Sequence, residues 1–160
     1  MSDVQGAFSV YTGDILKMAQ NFEGGPKVAQ RELLKGMRLA TADTRNNVRQ
    51  IAPYKSGKLR SNIDTTVRQT ATEVRGEVKI LGSKVPYAYW ADQGRGPVVA
   101  KPGKVLRFWI DGQMVFAKYV KAFAGHKFME RGLKASEGQI NRAIDAAADR
   151  IARYLGGYRT

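Results

Sequence analysis

The sequence predicts a single α+β domain over residues 1–160, with an antiparallel sheet of about four strands packed against long N- and C-terminal helices. Three observations lead to this fold class. Apolar residues recur at helical spacing near both ends of the chain, they alternate with polar residues in the middle, and turn-forming residues separate the alternating segments. Helices, strands and again helices, in that order, are typical of an α+β architecture.

The N-terminal third is predicted to be helical. Thr12 is a suitable N-cap for a short helix from Gly13 to Phe22. A longer helix follows from Pro26 to about Ala52, because proline suits the first turn of a helix and Pro53 cannot continue one. The apolar positions of the longer helix recur at helical spacing and define one buried face: Leu33, Met37, Ala40, Thr44, Val48 and Ile51.

Two β-hairpins are predicted in the middle of the chain. Apolar and polar residues alternate along 62–68 and along 73–80, and a short turn at 70–72 joins the two segments. Asp111-Gly112 marks the second hairpin, because both central residues of a type I′ turn take positive φ angles. This turn joins Val105–Ile110 to Gln113–Val120, which completes the four predicted strands.

A loop and a helical segment are the remaining predicted elements. The stretch from Gln93 to Lys104 is rich in Gly and Pro, which predicts a flexible loop long enough to have a function of its own. Helical spacing then returns in the C-terminal third. A short apolar patch (Phe128, Met129, Leu133) precedes an apolar stripe that ends before Gly156: Ile140, Ile144, Ala147, Ile151 and Leu155.

The composition excludes several classes of protein. The chain has no cysteine and one histidine, His126, so we expect no disulfide, no metal site and no cofactor. No phosphate-binding loop, dinucleotide fingerprint or nucleophile motif is present, and we therefore expect no enzymatic activity. No apolar run is long enough to span a membrane, and the N-terminus lacks the features of a secretory signal. We expect the chain in the cytoplasm, or in a particle assembled there.

Charge is the strongest bulk signal. The net charge of +13 favours an anionic partner, which could be nucleic acid, an acidic protein surface or anionic lipid. Six basic residues of the longer helix fall within an arc of roughly 80°, and like charges four residues apart repel each other. We interpret this basic stripe as a surface for passing DNA or for an acidic neighbouring subunit, with a solvated basic face as the alternative. Its residues are Lys27, Arg31, Lys35, Arg38, Arg45 and Arg49.

Three segments, taken in order, resemble a known family. The first is Ala52-Pro53-Tyr54-Lys55-Ser56-Gly57-Lys58-Leu59-Arg60-Ser61-Asn62-Ile63, the second Tyr87-Ala88-Tyr89-Trp90-Ala91-Asp92-Gln93-Gly94, and the third Lys127-Phe128-Met129-Glu130-Arg131-Gly132-Leu133. Together they resemble the phage tail-component family, which includes the minor tail and tail-completion proteins of long-tailed bacteriophages. The match covers residues 52–135 and departs from the family pattern at four places: Ser56, Asp92, Arg95 and Lys127. The motif positions are Pro53, Gly57, Leu59, Arg60, Tyr87, Ala88, Gly94 and Phe128.

The resemblance implies a structural virion protein that completes or terminates a tail, or joins the tail to the head at the neck. Proteins of this kind work as homo-oligomeric rings, commonly sixfold, and contact the tail tube, the head–tail connector and in some cases genomic DNA. It also implies a role for the Gly/Pro loop in reaching an adjacent subunit. The loop residues concerned are Gly94, Arg95, Gly96, Pro97, Lys101, Pro102 and Lys104.

Two other functions compete with this hypothesis. A basic nucleic-acid-binding protein is the main alternative, because of the net charge and the basic stripe from Lys27 to Arg49. A membrane-surface protein is disfavoured, because the opposite face of the helix carries Met37, Ala40 and Thr44 instead of bulky aromatic anchors.

Overall fold

The computed structural model describes residues 4–20, 22, 24–110 and 112–156 of the chain. Long helices combine with short antiparallel strands in these residues, so the mixed fold class is confirmed. In chain order the elements are β1 Val4–Tyr11, α1 Gly13–Ala19, α2 Gly25–Ile51, α3 Lys58–Ser61, β2 Ile63–Gln69, β3 Glu73–Ile80, α4 Ala88–Gln93, β4 Val98–Val99, β5 Leu106–Ile110, β6 Gln113–Ala117, β7 Tyr119–Val120 and α5 Phe128–Leu155.

The two long helices, α2 and α5, pack closely against each other. Gly36 of α2 makes this possible, because a Cβ at that position would lie only 2.9 Å from the carbonyl oxygen of Ala143 in α5. Gly132 of α5 lies in the same way against Val48 of α2, where a Cβ would overlap the valine side chain. Small residues at both ends of the contact therefore set the distance between the helix axes.

The predicted helices are confirmed in position and corrected at some ends. α2 begins and ends one residue before the predicted Pro26 and Ala52. The apolar patch and the apolar stripe of the C-terminal third belong to one continuous helix, α5. α1 ends at Ala19, whereas the sequence predicted an end at Phe22.

The predicted side-chain cap at Thr12 is wrong. Thr12 is the N-cap residue of α1, but its side chain makes no capping hydrogen bond. The Thr12 hydroxyl donates instead to the carbonyl oxygen of Thr72 at 3.1 Å, and the Thr12 backbone N–H donates to the same oxygen at 3.1 Å. The Thr12 hydroxyl therefore binds a turn that is distant in sequence and does not cap the adjacent helix α1.

A three-stranded antiparallel sheet in the order β1-β3-β2 packs against α2. β2 and β3 are the predicted first hairpin, paired in register from Ile63↔Ile80 to Gln69↔Val74. β1 pairs with the other edge of β3 and is a strand that the sequence did not predict. The small residues of β1, such as Gly6 and Ser9, weaken its alternation.

The four predicted strands do not form one sheet in the described residues. β5 and β6 form the predicted second hairpin but pair with each other in a separate two-stranded sheet, and β4 pairs with β7 in another. Alternation along a strand specifies its two faces but not its neighbours, so the number of sheets was not encoded in the pattern. Gly112 has φ of 83°, as a type I′ turn requires, whereas Asp111 lies outside the described residues.

The hydrophobic core has two parts, one near each end of α2. The part near the C-terminal end of α2 consists of Val48, Ala52, Leu59, Ile63, Val78, Ile80, Val85, Ala88, Phe128 and Met129. The other part consists of Leu16, Ala19, Ala29, Leu33, Met37, Val74 and Ile151. The first part contains residues from all three segments of the family resemblance, and it positions the candidate site.

Candidate functional site

Two residues in the N-terminal half of the basic stripe, Arg31 and Lys35, are paired with a carboxylate. Glu32 is buried, and its Oε1 accepts hydrogen bonds from Arg31 and Lys35, each at 3.2 Å. Its Oε2 accepts a hydrogen bond from Arg150 of α5 at 2.8 Å. In a helical projection Glu32 lies off the arc of the basic stripe, but its side chain is long enough to reach Arg31 and Lys35.

The electrostatics of this cluster keep Glu32 ionised. Burial alone would raise the pKa of the Glu32 carboxyl, because desolvation disfavours the charged form. Hydrogen bonds from Lys35, Arg150 and Arg31 outweigh this effect and hold the pKa below its ordinary value. The three cations are therefore partly committed to a contact inside the molecule.

In the C-terminal half of the stripe, Arg49 contacts the edge strand β2. Arg49 donates from Nη2 to the carbonyl oxygen of Ile63 at 2.8 Å. The Nε atoms of Arg45 and Arg49 are buried and have no hydrogen-bond partner. Lys27 and Arg38 are exposed. Some of the six stripe residues therefore make contacts within the molecule, and others are exposed to solvent.

The three family-like segments come together at one end of the molecule. In the first, Arg60 donates from Nε to the carbonyl oxygen of Ala52 at 2.8 Å and from Nη2 to that of Gln50 at 3.1 Å. These carbonyls lie at the C-terminal end of α2, where the helix leaves them without partners. The Arg60 guanidinium also lies 5.3 Å from the centre of the Tyr54 ring. Arg60 therefore fixes the turn between α2 and α3.

Asp92 joins the second segment to the third. It is 1% exposed, and its Oδ1 accepts a hydrogen bond from the backbone N–H of Met129 at 3.0 Å. This places a carboxylate at the N-terminal end of α5, where the free N–H groups of a helix favour a negative charge. The Asp92 carbonyl also accepts from the backbone N–H of Lys127 at 2.9 Å. The sequence analysis noted Asp92 only as a departure from the family pattern and missed this role.

Gly94 is the first residue of the segment 94–125, whose described strands pair only with one another; we call this segment the arm. Gly94 has φ of 81° and ψ of −176°, a conformation that is essentially restricted to glycine. A Cβ on Gly94 would also clash with the carbonyl oxygen of Phe123. Arg95 and Phe123 then exchange two backbone hydrogen bonds of 2.7 and 2.9 Å. The two ends of the arm are thereby held together.

Residues 94–104 of the predicted loop at 93–104 lie in the arm, and the loop is more regular than expected. Gln93 closes α4, and Val98–Val99 form β4, so part of the prediction is wrong. The backbone N–H of Ala100 donates to the carbonyl oxygen of Lys118 at 2.8 Å, which extends this pairing. Residues 101–104 remain irregular. Of the seven residues predicted to contact an adjacent subunit, Gly94 is buried, Arg95 is half-buried, and the other five are exposed: Gly96, Pro97, Lys101, Pro102 and Lys104.

The outer end of the arm is the β5–β6 hairpin, and it exposes large apolar side chains. Trp109 is 66% exposed and Phe116 is 59% exposed. The register pairs Trp109 with Met114 and Arg107 with Phe116, so these four residues share one face, which we call the aromatic face of the arm. Exposed apolar surfaces of this kind are typical of protein interaction sites.

The described residues contain no group of three or more His, Cys, Asp or Glu side chains that could hold a metal ion. His126 is exposed, and its backbone N–H donates to the carbonyl oxygen of Ala91 at 2.9 Å, beside the base of the arm. Among the described helices, none has the length and apolar character needed to cross a membrane.

Comparisons of the chain with models of known protein families, with curated proteins and with solved structures find no match.

Proposed function

We propose that this chain is a structural, non-enzymatic virion protein of a tailed bacteriophage. It forms a homo-oligomeric ring, sixfold in the family that it resembles, and acts in tail completion, tail termination or head-to-tail joining at the neck. Its partners are other copies of itself and the proteins of the tail tube or the head–tail connector, with genomic DNA as a further contact.

The convergence of the three family-like segments at the base of the arm is the observation that carries this proposal. Arg60 of the first segment holds the end of α2, and Asp92 of the second segment binds the backbone of Met129 in the third, although these segments are distant in sequence. The motif residues thus hold the backbone that supports the exposed β5–β6 hairpin. A protein that works by docking to repeated neighbours needs such a rigid support, because ordering a loop on binding costs free energy.

A joining assay tests the proposal. Heads and tails are purified from a phage that carries this gene in an inactivated form, and the purified chain is added to them. We expect a ring in electron micrographs, a multiple of the subunit mass in native mass spectrometry, and restored joining of the particles. A chain that stays monomeric beside tails and connectors, and does not bind to either, refutes the proposal.

The irregular segment 101–104 has a separate role in this proposal, as a contact to the adjacent subunit. Deleting residues 98–102 would also remove β4, so a milder change is preferable. We expect Lys101→Glu with Lys104→Glu to weaken ring formation without unfolding, since both side chains are exposed. The matched control is Lys84→Glu, which changes the charge of an exposed lysine away from the arm.

Nucleic-acid binding is the second candidate function, and the exposure of Lys27 and Arg38 favours it. Affinity for duplex DNA would then fall steeply with salt, and Arg38→Glu with Arg45→Glu would reduce the slope of log Kd against log salt. An unchanged DNA affinity in that variant, together with impaired joining of tails, excludes this candidate.

A further inference from the structure

The C-terminal end of the basic stripe lines a pocket that contains a second arginine. The pocket lies between the last turn of α2 and α3 and has a volume of about 400 Å³. Its lining contains two arginines and no acidic residue: Arg49, Gln50, Tyr54, Gly57, Arg60 and Ser61. The basic stripe contributes Arg49, and the first family-like segment contributes Arg60. We call this pocket the arginine pocket.

Both guanidinium groups of the arginine pocket are held in place by backbone carbonyl groups. Arg49 donates to the carbonyl oxygen of Ile63 at 2.8 Å. Arg60 donates to those of Ala52 and Gln50 at 2.8 and 3.1 Å. These partners are neutral, and within the described residues neither arginine forms an ion pair with a carboxylate. Two positioned positive charges thus line one pocket without a negative charge to balance them, which suits the pocket to a bound anion.

A smaller pocket adjoins the arginine pocket. It has a volume of about 190 Å³ and shares Tyr54 and Gly57 with its neighbour. Its other walls combine apolar and polar residues: Pro53, Lys55, Ser56, Leu59, Tyr87 and Ala91. An apolar cavity of about 150 Å³ is large enough to hold benzene, so this pocket can accept a single six-membered ring. We call it the tyrosine groove.

The two tyrosines of the groove are exposed. Tyr54 is 70% exposed and Tyr87 is 46% exposed. The Arg60 guanidinium lies over the Tyr54 ring, 5.3 Å from its centre, yet most of the side chain remains open to solvent. Exposed aromatic rings bind nucleobases by stacking, and they accept different bases because every base has a π face. An anion in the arginine pocket and a base on Tyr54 would therefore be neighbours.

The combination of the two pockets selects the occupant. A carboxylate of an acidic protein would use the arginine pocket and leave the tyrosine groove empty. The phosphates of duplex DNA would do the same, because bases inside a duplex are not accessible. An unpaired nucleotide uses both pockets. Positive charge also continues beyond the arginine pocket, at Arg45 one turn earlier in α2 and at the exposed Lys58 of α3, which favours a strand with several phosphates over a free nucleotide.

Building on the nucleic-acid contact in the proposed function, we infer that the arginine pocket and the tyrosine groove together bind an unpaired nucleotide of single-stranded DNA. The phosphate lies between Arg49 and Arg60, and the base stacks on Tyr54 in the groove. The volume of the groove favours the single ring of a pyrimidine. The basic stripe thus binds DNA through its C-terminal end, whereas Arg31 and Lys35 at its other end are paired with Glu32.

Fluorescence anisotropy with a labelled oligothymidylate tests the stacking. We expect the full chain to bind the strand with an affinity that falls as salt is added. Tyr54→Ala should weaken binding about tenfold, as the loss of one stacked base does, and Tyr54→Phe should bind like the natural chain because the ring remains. The matched control is Tyr119→Ala, at an exposed tyrosine that lines neither pocket, and it should leave the affinity unchanged.

A pair of arginine variants tests the phosphate contact. Arg49→Gln and Arg68→Gln each remove one positive charge, but Arg68 is exposed on β2 and lines neither pocket. We expect Arg49→Gln to weaken binding several times more than Arg68→Gln, because only Arg49 meets a phosphate in the pocket. Circular dichroism of all variants should match that of the natural chain. Photo-cross-linking of the natural chain to a strand that carries iodinated uracil should label Tyr54 or Tyr87.

The outcomes separate this site from the proposed function. Cross-links that fall on the arm, equal losses in the two arginine variants, or undiminished binding by Tyr54→Ala overturn the site and leave the proposed function intact. Polyglutamate, duplex DNA or thymidine monophosphate that competes as well as the unlabelled strand overturns single-stranded DNA as the occupant. A chain that restores the joining of heads and tails but does not bind the strand overturns this inference alone. A chain that binds the strand at Tyr54 but neither forms rings nor binds to tails overturns the proposed function alone.

Discussion

The two hairpins of this chain share a local design and differ in their surroundings. In the β2–β3 hairpin, Ile63, Val74 and Val78 are buried under α2, and the other face is charged, with Arg75 and Glu77 paired at 3.2 Å. In the β5–β6 hairpin, apolar side chains occupy both faces. The first hairpin is complete within one molecule. The second leaves the large side chains of one face exposed, and its two-sided apolar pattern is the sequence signal of that difference.

The largest expected effect comes from two phenylalanines, one in each region. Phe128 is 0% exposed and lies in the core near the arm base, whereas Phe116 lies on the aromatic face of the arm. We expect Phe128→Ala to lower the free energy of unfolding by about 3–5 kcal/mol. Phe116→Ala should change it by less than about 0.5 kcal/mol. Urea denaturation at a protein concentration where the chain is monomeric measures both.

An equal cost for the two substitutions would contradict the distinction between the arm and the rest of the described chain, which we call the body. It would mean that Phe116 is buried within its own molecule in solution. The same pair should reverse its order in an assembly assay, where Phe116→Ala weakens the docking of the arm.

Two glycines of the arm, Gly94 at its base and Gly103 in its loop, test how the arm is anchored to the rest of the chain. Gly94 and Gly103 both have positive φ, but a Cβ on Gly103 meets nothing within 4 Å, whereas one on Gly94 clashes with Phe123. We expect Gly103→Ala to cost about 1 kcal/mol for its backbone conformation alone. Gly94→Ala should cost about 3 kcal/mol, because steric overlap adds to a backbone conformation that glycine alone adopts.

Hydrogen exchange shows which backbone hydrogen bonds each substitution weakens. In Gly94→Ala the backbone N–H groups of Arg95 and Phe123, which are paired in the natural chain, should lose protection. In Gly103→Ala they should keep it. Loss of protection in both variants would mean that the arm is not anchored at Gly94.

The sequence predicted well what depends on local pattern. Proline at both ends and apolar residues at helical spacing defined α2 to within one residue at each end. The β2–β3 hairpin followed from strict alternation. β1 escaped prediction because its identity as a strand depends on pairing with β3, which lies far along the chain. No local pattern carries that information.

The candidate site was predictable in its parts but not in its assembly. The three family-like segments were identified from sequence, and only the structure brings them together at the arm base. Asp92 caps α5 across 37 positions of the sequence, and nothing near it indicates such a partner. The ion pairs of Glu32 were not predictable for a similar reason. A helical projection gives the direction in which a side chain leaves the helix, but not how far the side chain reaches. Tertiary contacts decide which basic residues remain available to a partner.

The smallest expected effect concerns the charged residues of the arm and of the rest of the chain. The cations around Glu32 are paired within the body, whereas the sequence of the arm has six Lys and Arg residues and one acidic residue, Asp111. The lowered pKa of Glu32 means that its ionised form stabilises the fold at pH above its ordinary value of 4.5, and that this stability is lost as pH falls through the lowered folded-state value.

Glu32→Gln tests that link. We expect a loss of about 1 kcal/mol at neutral pH, a modest value because the partner cations are more than a third exposed. The stability of the variant should also fall less steeply than that of the natural chain on acidification. Unfolding curves across pH measure both effects, and Glu137→Gln, at an exposed position of α5, controls for the loss of one negative charge. Parallel pH profiles for the natural chain and Glu32→Gln would show that the cluster does not bind the two long helices together, and the basic stripe would then be as free for an anionic partner as the arm is.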